Sequence, residues 1–151
     1  MSGAARLGRV KPRDSRPVKE WQLHGFIADL LRFNARKDIL WIHIPNEGLR
    51  APRTGAFLKR LGMMPGAADF LIVTKGGVAR FLEVKTIAGR VSPAQRAFAE
   101  LALASGASYA IVRKPAEAAL ILEGWGAIES SFRTECRWLK RDTVSTEGSS
   151  I

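Results

Sequence analysis

Between residues 66 and 95 the chain runs Gly66-Ala67-Ala68-Asp69-Phe70-Leu71-Ile72-Val73, then Gly76-Gly77, then Phe81-Leu82-Glu83-Val84-Lys85-Thr86, then Gly89-Arg90-Val91-Ser92-Pro93-Ala94-Gln95, and this stretch limits the fold more than any other. Two short apolar runs rich in β-branched residues, 70–73 and 78–86, flank a Gly-Gly pair. That pattern predicts a β-hairpin closed by a primed turn, whose positive φ angles suit glycine. Asp69 then opens one strand, and Glu83 and Lys85 lie on its partner. Because strand side chains alternate with period two, Glu83 and Lys85 share one face while Leu82, Val84 and Thr86 take the other. Two carboxylates and one amine are thereby expected to converge.

Such a trio suits metal-assisted chemistry on phosphate. Paired carboxylates bind a hard divalent cation such as Mg²⁺, which clamps a phosphate oxygen and acidifies a water; a neighbouring ammonium offsets developing charge or positions the water. The same residues would also be explained by a solvated cross-strand ion pair, worth less than about 1 kcal/mol. Spacing alone does not separate the two readings.

Charge narrows the partners. The 151 residues carry 24 Lys and Arg against 14 Asp and Glu, a formal charge of +10 and a pI near 10.6. A field of that sign attracts a polyanion and speeds its encounter, so nucleic acid is the expected partner. No segment combines a basic face with the wide apolar one that an interfacial helix needs, and no apolar run approaches bilayer length. The length suits one domain with a single sheet-based core. The first 18 residues lack the apolar stretch of a secretory signal. The single Cys136 can form no intramolecular disulfide, which fits a reducing cytoplasm.

A wider set of motifs occurs in register: Asn46-Glu47-Gly48, Leu58-Lys59-x-Leu61-Gly62, Pro65-Gly66-x-x-Asp69, Glu83-x-Lys85-Thr86, Gly89-Arg90-x-Ser92-Pro93-x-Gln95, and an apolar strand over 107–112. In order and spacing these resemble a VRR-NUC domain of the PD-(D/E)XK nuclease superfamily, of the stand-alone phage or bacterial kind, over roughly residues 18–126. One departure is Ala68, where the family usually has proline before the metal-binding Asp; the change loosens the backbone entering the strand but removes no ligand. The resemblance implies a restriction-endonuclease-like α/β core and a Mg²⁺- or Mn²⁺-dependent deoxyribonuclease. It implies Asp69, Glu83 and the Val84 carbonyl as metal ligands, with Lys85 acting on water or charge and Gln95 and Glu20 assisting. Because stand-alone members of the family look like Holliday-junction resolvases, it also implies branched DNA and a homodimer, since symmetric cleavage of a junction needs two sites about a two-fold axis.

The rest of the chain reads as follows. Residues 1–17 hold basic residues among Gly, Pro and Ser, the composition of a flexible basic arm. Over 18–33, Trp21, Leu23, Phe26, Ile27, Leu30 and Leu31 recur at helical spacing. Glu20 and His24 lie four apart on that helix. Glu20 has two readings: the accessory carboxylate of the resembled family, or a solvated acid favoured by the helix dipole. Glu47 is the alternative accessory acid. His24 reads as a packed or exposed helix residue, and His43, on a strand over 39–44, as a sheet-face residue.

A helical stretch over 50–61, with Thr54 as its cap, carries Arg50, Arg53, Lys59 and Arg60; with Arg90 these are candidate phosphate-backbone contacts. Met63 and Met64 read as core filler. Ser92-Pro93-Ala94-Gln95 reads as N-cap, helical proline and capping-box partner, so Gln95 is divided between closing the box and reaching the site. Its helix, 93–104, is expected to present Ala94, Ala97, Phe98 and Leu101 to the sheet, with Gly106 ending it. A strand over 108–113 and a closing helix over 116–122 complete the domain. A basic extension over 127–151 contains Phe132 and Trp138. Leu120, Ile121, Leu122 and Trp125 offer apolar surface for a dimer. The element order predicts a mixed sheet of about four strands flanked by helices, its last strand reached by a helical crossover.

Overall fold

The computed structural model describes residues 18–45 and 52–129, and for Pro52 and Arg53 the backbone only. Glu47, Arg50 and the Arg53 side chain lie outside the described residues, as do the arm over 1–17, Cys136, Phe132 and Trp138.

The elements follow the expected order: α1 (Glu20–Asn34), β1 (Leu40–His43), α2 (Pro52–Arg60), β2 (Phe70–Thr74), β3 (Val78–Val84), α3 (Pro93–Ala104), β4 (Ser108–Val112) and α4 (Pro115–Gly124). The four strands form one mixed sheet in the order β1-β2-β3-β4. β1 pairs with β2 and β2 with β3, both antiparallel. β4 lies parallel to β3, and α3 supplies the crossover that parallel neighbours require. No described helix is long and apolar enough to cross a membrane.

Period-two alternation sorts the sheet into two faces. Phe70, Ile72, Leu82, Val84 and Val112 are buried on one face against Leu23, Ile27, Leu30 and Leu31 of α1 and Ala118, Ala119 and Leu122 of α4. The spacing of the four α1 residues is the i, i+4, i+7, i+8 stripe of a core-facing helix. On the other face Phe81 and Tyr109 pack with Phe98 and Ala102 of α3, and Ala68 joins them. Phe81 meets Phe98 edge to face at 5.0 Å.

Several expectations are corrected. The hairpin loop has three residues, 75–77, rather than two. Thr74 pairs with Val78, the Gly77 N–H donates to the Thr74 carbonyl at 3.0 Å, and both Gly76 and Gly77 have positive φ. The turn over 74–77 thus has its left-handed residue third, as in type II, and no primed turn forms. Helix α2 starts at Pro52, so Thr54 lies inside it and is not its cap. On α3, Ala97 is exposed, Leu101 is 52 % exposed, and Ala102 is buried instead. Trp21 is 69 % exposed, and Met63 and Met64 are also on the surface.

The apolar residues of α4 are mostly consumed by the core. Leu122 is fully buried, Ile121 and Trp125 pack against the same cluster, and Trp125 lies under the Arg80 guanidinium at 5.7 Å. Leu120 stays exposed. Packing continues past α4: Ala127 and Ile128 are buried, and Ile128 bridges to Ala35.

Candidate active site

The sheet register puts the acids together. Phe70 is opposite Leu82, and one further step of the same antiparallel register sets Asp69 opposite Glu83. Asp69 closes the ladder with its side chain: Oδ2 accepts the Val84 N–H at 2.7 Å, while its carbonyl accepts the Ile44 N–H at 2.7 Å. A carboxylate thus replaces a main-chain partner at the end of β2, which fixes its rotamer. Asp69 and Glu83 are the two buried acids among the described residues, 6 % and 1 % exposed.

Glu83 is held from two sides at one oxygen. The Lys85 ammonium lies 2.8 Å from Oε1, and the Gln95 side-chain N–H₂ donates to the same atom. Lys85 is the residue after the end of β3, two past Glu83; its N–H still pairs with the Val112 carbonyl at 2.9 Å, so the alternation of the strand carries it to the same face. Gln95 arrives from the first turn of α3. There its Oε1 accepts the Ser92 N–H at 2.9 Å, and its own N–H donates to Ser92 Oγ at 3.2 Å. The capping box and the site contact are therefore one arrangement: the box orients the amide so that its nitrogen faces Glu83. Glu83 Oε2 is buried and has no hydrogen-bond partner.

Burial dominates the electrostatics. It pushes Glu83 up to about 6, against the opposing Lys85 hydrogen bond and with the help of Asp69. Burial likewise raises Asp69, opposed by the Val84 N–H and by His24 and Lys85. For Lys85, burial acts downward, but the Glu83 hydrogen bond and the charges of Glu83, Glu20 and Asp69 reverse it and the ammonium is held above its ordinary range. Glu20, in the first turn of α1, is near enough for its charge to act on all three. Glu47, the other accessory acid read from the sequence, lies outside the described residues.

Arg90, Lys59 and Arg60 are exposed. Arg90 lies two residues before the Ser92 cap, on the loop that carries β3 into α3; Lys59 and Arg60 end α2.

Three features were not legible in the sequence. Gly66 (φ +74) abuts α3 so closely that a Cβ there would lie 2.3 Å from the Ala94 carbonyl carbon, which docks the approach to Asp69 onto the turn bearing Gln95. Arg113 ties down the loop after β3, donating to the carbonyls of Thr86 at 2.5 Å and Gly89 at 2.8 Å. His24, read as a bystander, has Nε2 3.8 Å from Asp69 Oδ2 and Nδ1 3.3 Å from His43 Nε2. The Pro65-Gly66 pair signals a turn, but nothing in spacing reveals what the glycine or the histidines meet.

No three His, Cys, Asp or Glu side chains form a metal-holding cluster among the described residues. Asp69 and Glu83 offer two carboxylates and no thiolate. Mg²⁺ is bound in this way, through one or two carboxylates, waters and substrate phosphates. The unpartnered, buried Glu83 Oε2 fits it, since a buried polar atom ordinarily finds a partner. A cleft of about 550 Å³ lies away from these acids, lined by Val78, Phe81, Phe98 and Leu101 among others; it holds no titratable side chain and is not where hydrolysis would occur.

No family model matches the sequence, and no curated protein does. Among solved structures, a "VRR_NUC domain protein" superposes with a TM-score of 0.56 at 16% identity, covering 76% of this chain and 98% of that one. A "VRR_NUC domain" superposes at 0.48 and 20% identity, covering 70% and 96%. The chain has the fold of a VRR_NUC domain.

Proposed function

We propose that the protein is a divalent-metal-dependent nuclease that hydrolyses phosphodiester bonds in DNA. The observation that carries this reading is the Glu83 carboxylate: one oxygen is fixed by Lys85 and Gln95, and the other is buried and unpartnered on the face it shares with Asp69. A buried carboxylate oxygen that served only a structural ion pair would ordinarily find a second donor. Burying a charged acid with half its acceptors empty costs stability, and such costs concentrate at functional sites.

Asp69 and Glu83 would hold Mg²⁺ or Mn²⁺, with the Val84 carbonyl as a third ligand; when bound, the ion supplies charge neutralisation at a phosphate oxygen and lowers the pKa of a water. The chain's own groups do the rest. Val84 N–H holds Asp69 in place, and Gln95 holds Glu83, so both carboxylates are set before substrate arrives. The Lys85 ammonium, held protonated by the three acids around it, remains a donor to the scissile phosphate or the attacking water. Water oxygen adds to phosphorus, the bond to the leaving oxygen breaks, and a proton passes to that oxygen. Glu20 adds negative field at the cation. Lys59, Arg60 and Arg90 contact the phosphate backbone, and with few groups to read base edges, recognition rests on DNA shape and charge.

The test is cleavage of supercoiled plasmid and of four-way junctions with Mg²⁺ or Mn²⁺, against chelator. Asp69→Asn and Glu83→Ala are expected to abolish cleavage while leaving DNA binding in place. Asp69→Asn keeps an acceptor for the Val84 N–H and so keeps the fold. A basic DNA-binding domain that never cuts would bind in the same way but give no metal-dependent products with the wild-type chain.

A further inference from the structure

Helix α1 and edge strand β1 place two imidazoles in series behind Asp69. His24 Nε2 lies 3.8 Å from Asp69 Oδ2, beyond hydrogen-bond length and so in electrostatic contact. This nitrogen is buried and has no hydrogen-bond partner. At the other side of the ring, His24 Nδ1 lies 3.3 Å from His43 Nε2, with the two rings nearly perpendicular at 84°. Both rings pack on Phe70, His43 at 4.8 Å and His24 at 6.0 Å between centroids. Phe70 follows Asp69 in the chain and is opposite His43 in the sheet register.

When both rings are neutral, elementary chemistry orders the protons along this line. Of two neutral imidazole nitrogens in contact, one donates and the other accepts. If His24 donated from Nδ1, its Nε2 lone pair would face a carboxylate oxygen, and two acceptors would repel. If His43 Nε2–H donates, His24 carries its proton on Nε2, facing Asp69 Oδ2. That oxygen already takes the Val84 N–H. With the Val84 N–H bonded to Oδ2 and the His24 Nε2–H facing it at 3.8 Å, Oδ2 is turned toward the protein and Oδ1 is the oxygen left for a ligand.

We propose that His43 and His24 are positioning residues that act in series: His43 selects the His24 tautomer, and the His24 Nε2–H holds the Oδ2 edge of Asp69 so that Oδ1 is presented to the divalent cation. This rests on the nuclease reading of the same site. Carboxylates and imidazoles that bind metals are commonly fixed by an outer layer of donors, whose loss weakens metal binding. Here that layer is two histidines 19 residues apart in sequence, on a helix and a strand that meet at the sheet edge.

The test reads metal binding directly, by calorimetric titration of the full chain with Mn²⁺ at one mildly alkaline pH, without DNA. Wild type is expected to bind and Asp69→Asn to lose binding. His24→Leu should weaken Mn²⁺ binding by about tenfold or more, the scale on which outer-layer partners act. His24→Gln, whose side-chain N–H₂ can replace the Nε2–H, should recover most of that loss. His43→Phe keeps the packing on Phe70 and removes the donor; it should weaken binding by several-fold on the same scale. Thermal melts confirm that each variant is folded. Metal-free DNA binding should be unchanged in the His24 and His43 variants. Wild-type Mn²⁺ affinity in His24→Leu, or a His24→Gln variant as weak as His24→Leu, would overturn the proposal. Absence of Mn²⁺ binding by the wild-type chain would instead overturn the nuclease reading, and the relay with it.

Discussion

Gln95 donates its side-chain amide to Glu83 Oε1, the oxygen that Lys85 holds at 2.8 Å, while the amide oxygen of Gln95 closes the cap of α3 on Ser92 at 2.9 Å. One side chain therefore ties a helix terminus to the buried carboxylate of the candidate site, and substitutions can separate the two roles. Glutamate at this position keeps the capping box but faces Glu83 with a like charge. Gln95→Glu is expected to melt within about 1 kcal/mol of wild type yet to cut DNA more than about tenfold more slowly, the scale of a lost charge-assisted hydrogen bond. Gln95→Ala should lose both cleavage and about 1 kcal/mol of stability. Thermal unfolding and plasmid nicking on the same preparations check this.

The raised pKa of Glu83 makes the metal-free protein a pH-sensitive fold. The folded carboxyl titrates near 6 and its ordinary value is 4.5. Below the ordinary value both states are protonated and nothing is lost. Between the two values the unfolded chain releases the proton first, so stability falls as pH rises, and above about 6 the full cost is present. A shift of this size corresponds to roughly 2 kcal/mol, and Asp69 acts in the same direction. Glu83→Gln should flatten this part of the stability profile and stabilise the metal-free chain at neutral pH, as measured by urea unfolding across the window. Added Mn²⁺ should restore wild-type stability at neutral pH and leave Glu83→Gln unmoved.

Gly66 distinguishes docking from turn strain. A methyl group there would meet the backbone of Ala94 and Gln95 within 2.5 Å, whereas one on Gly62, also at positive φ, meets nothing within 4 Å. Gly62→Ala is expected to cost about 1 kcal/mol of left-handed strain with cleavage retained. Gly66→Ala adds to that strain a clash that displaces the first turn of α3, and should cost about 3 kcal/mol or more and abolish cleavage by moving Gln95. Melting temperature and nicking rate separate the two variants.

DNA affinity should fall steeply with salt on all sequences alike, since a net charge of +10 acts mainly through phosphates. Lys59→Ala, Arg60→Ala and Arg90→Ala should each lower the slope of log affinity against log salt by about 0.9 if the residue neutralises one phosphate. Fluorescence anisotropy over a salt series measures the slope. An unchanged slope removes that residue from the interface.

What the sequence determined by itself is what local periodicity can determine. Alternation along 81–85 settles that Glu83 and Lys85 share a face and that Leu82 and Val84 take the other, because a strand leaves a side chain only two directions. The Ser-Pro-x-Gln run settles where α3 begins, because a helix end must satisfy its own N–H groups within one turn. The mixed four-stranded sheet follows from the element order. Periodicity states which way a residue points relative to its own element; it does not state what stands opposite. Only the tertiary structure decided that Gln95 both caps its helix and grips Glu83 12 residues away, and that Asp69 replaces a ladder partner for Val84 across 15 residues. The face of α3 was misjudged at Leu101 because 98, 101 and 102 all fit a helical stripe, and packing against Phe81 and Tyr109 selected Ala102. Met63 and Met64 were placed inside on hydrophobicity alone, which many exposed residues share. The two histidines looked like ordinary helix and strand residues because their meaning lies in each other and in Asp69, and three chain segments must come together before that contact exists.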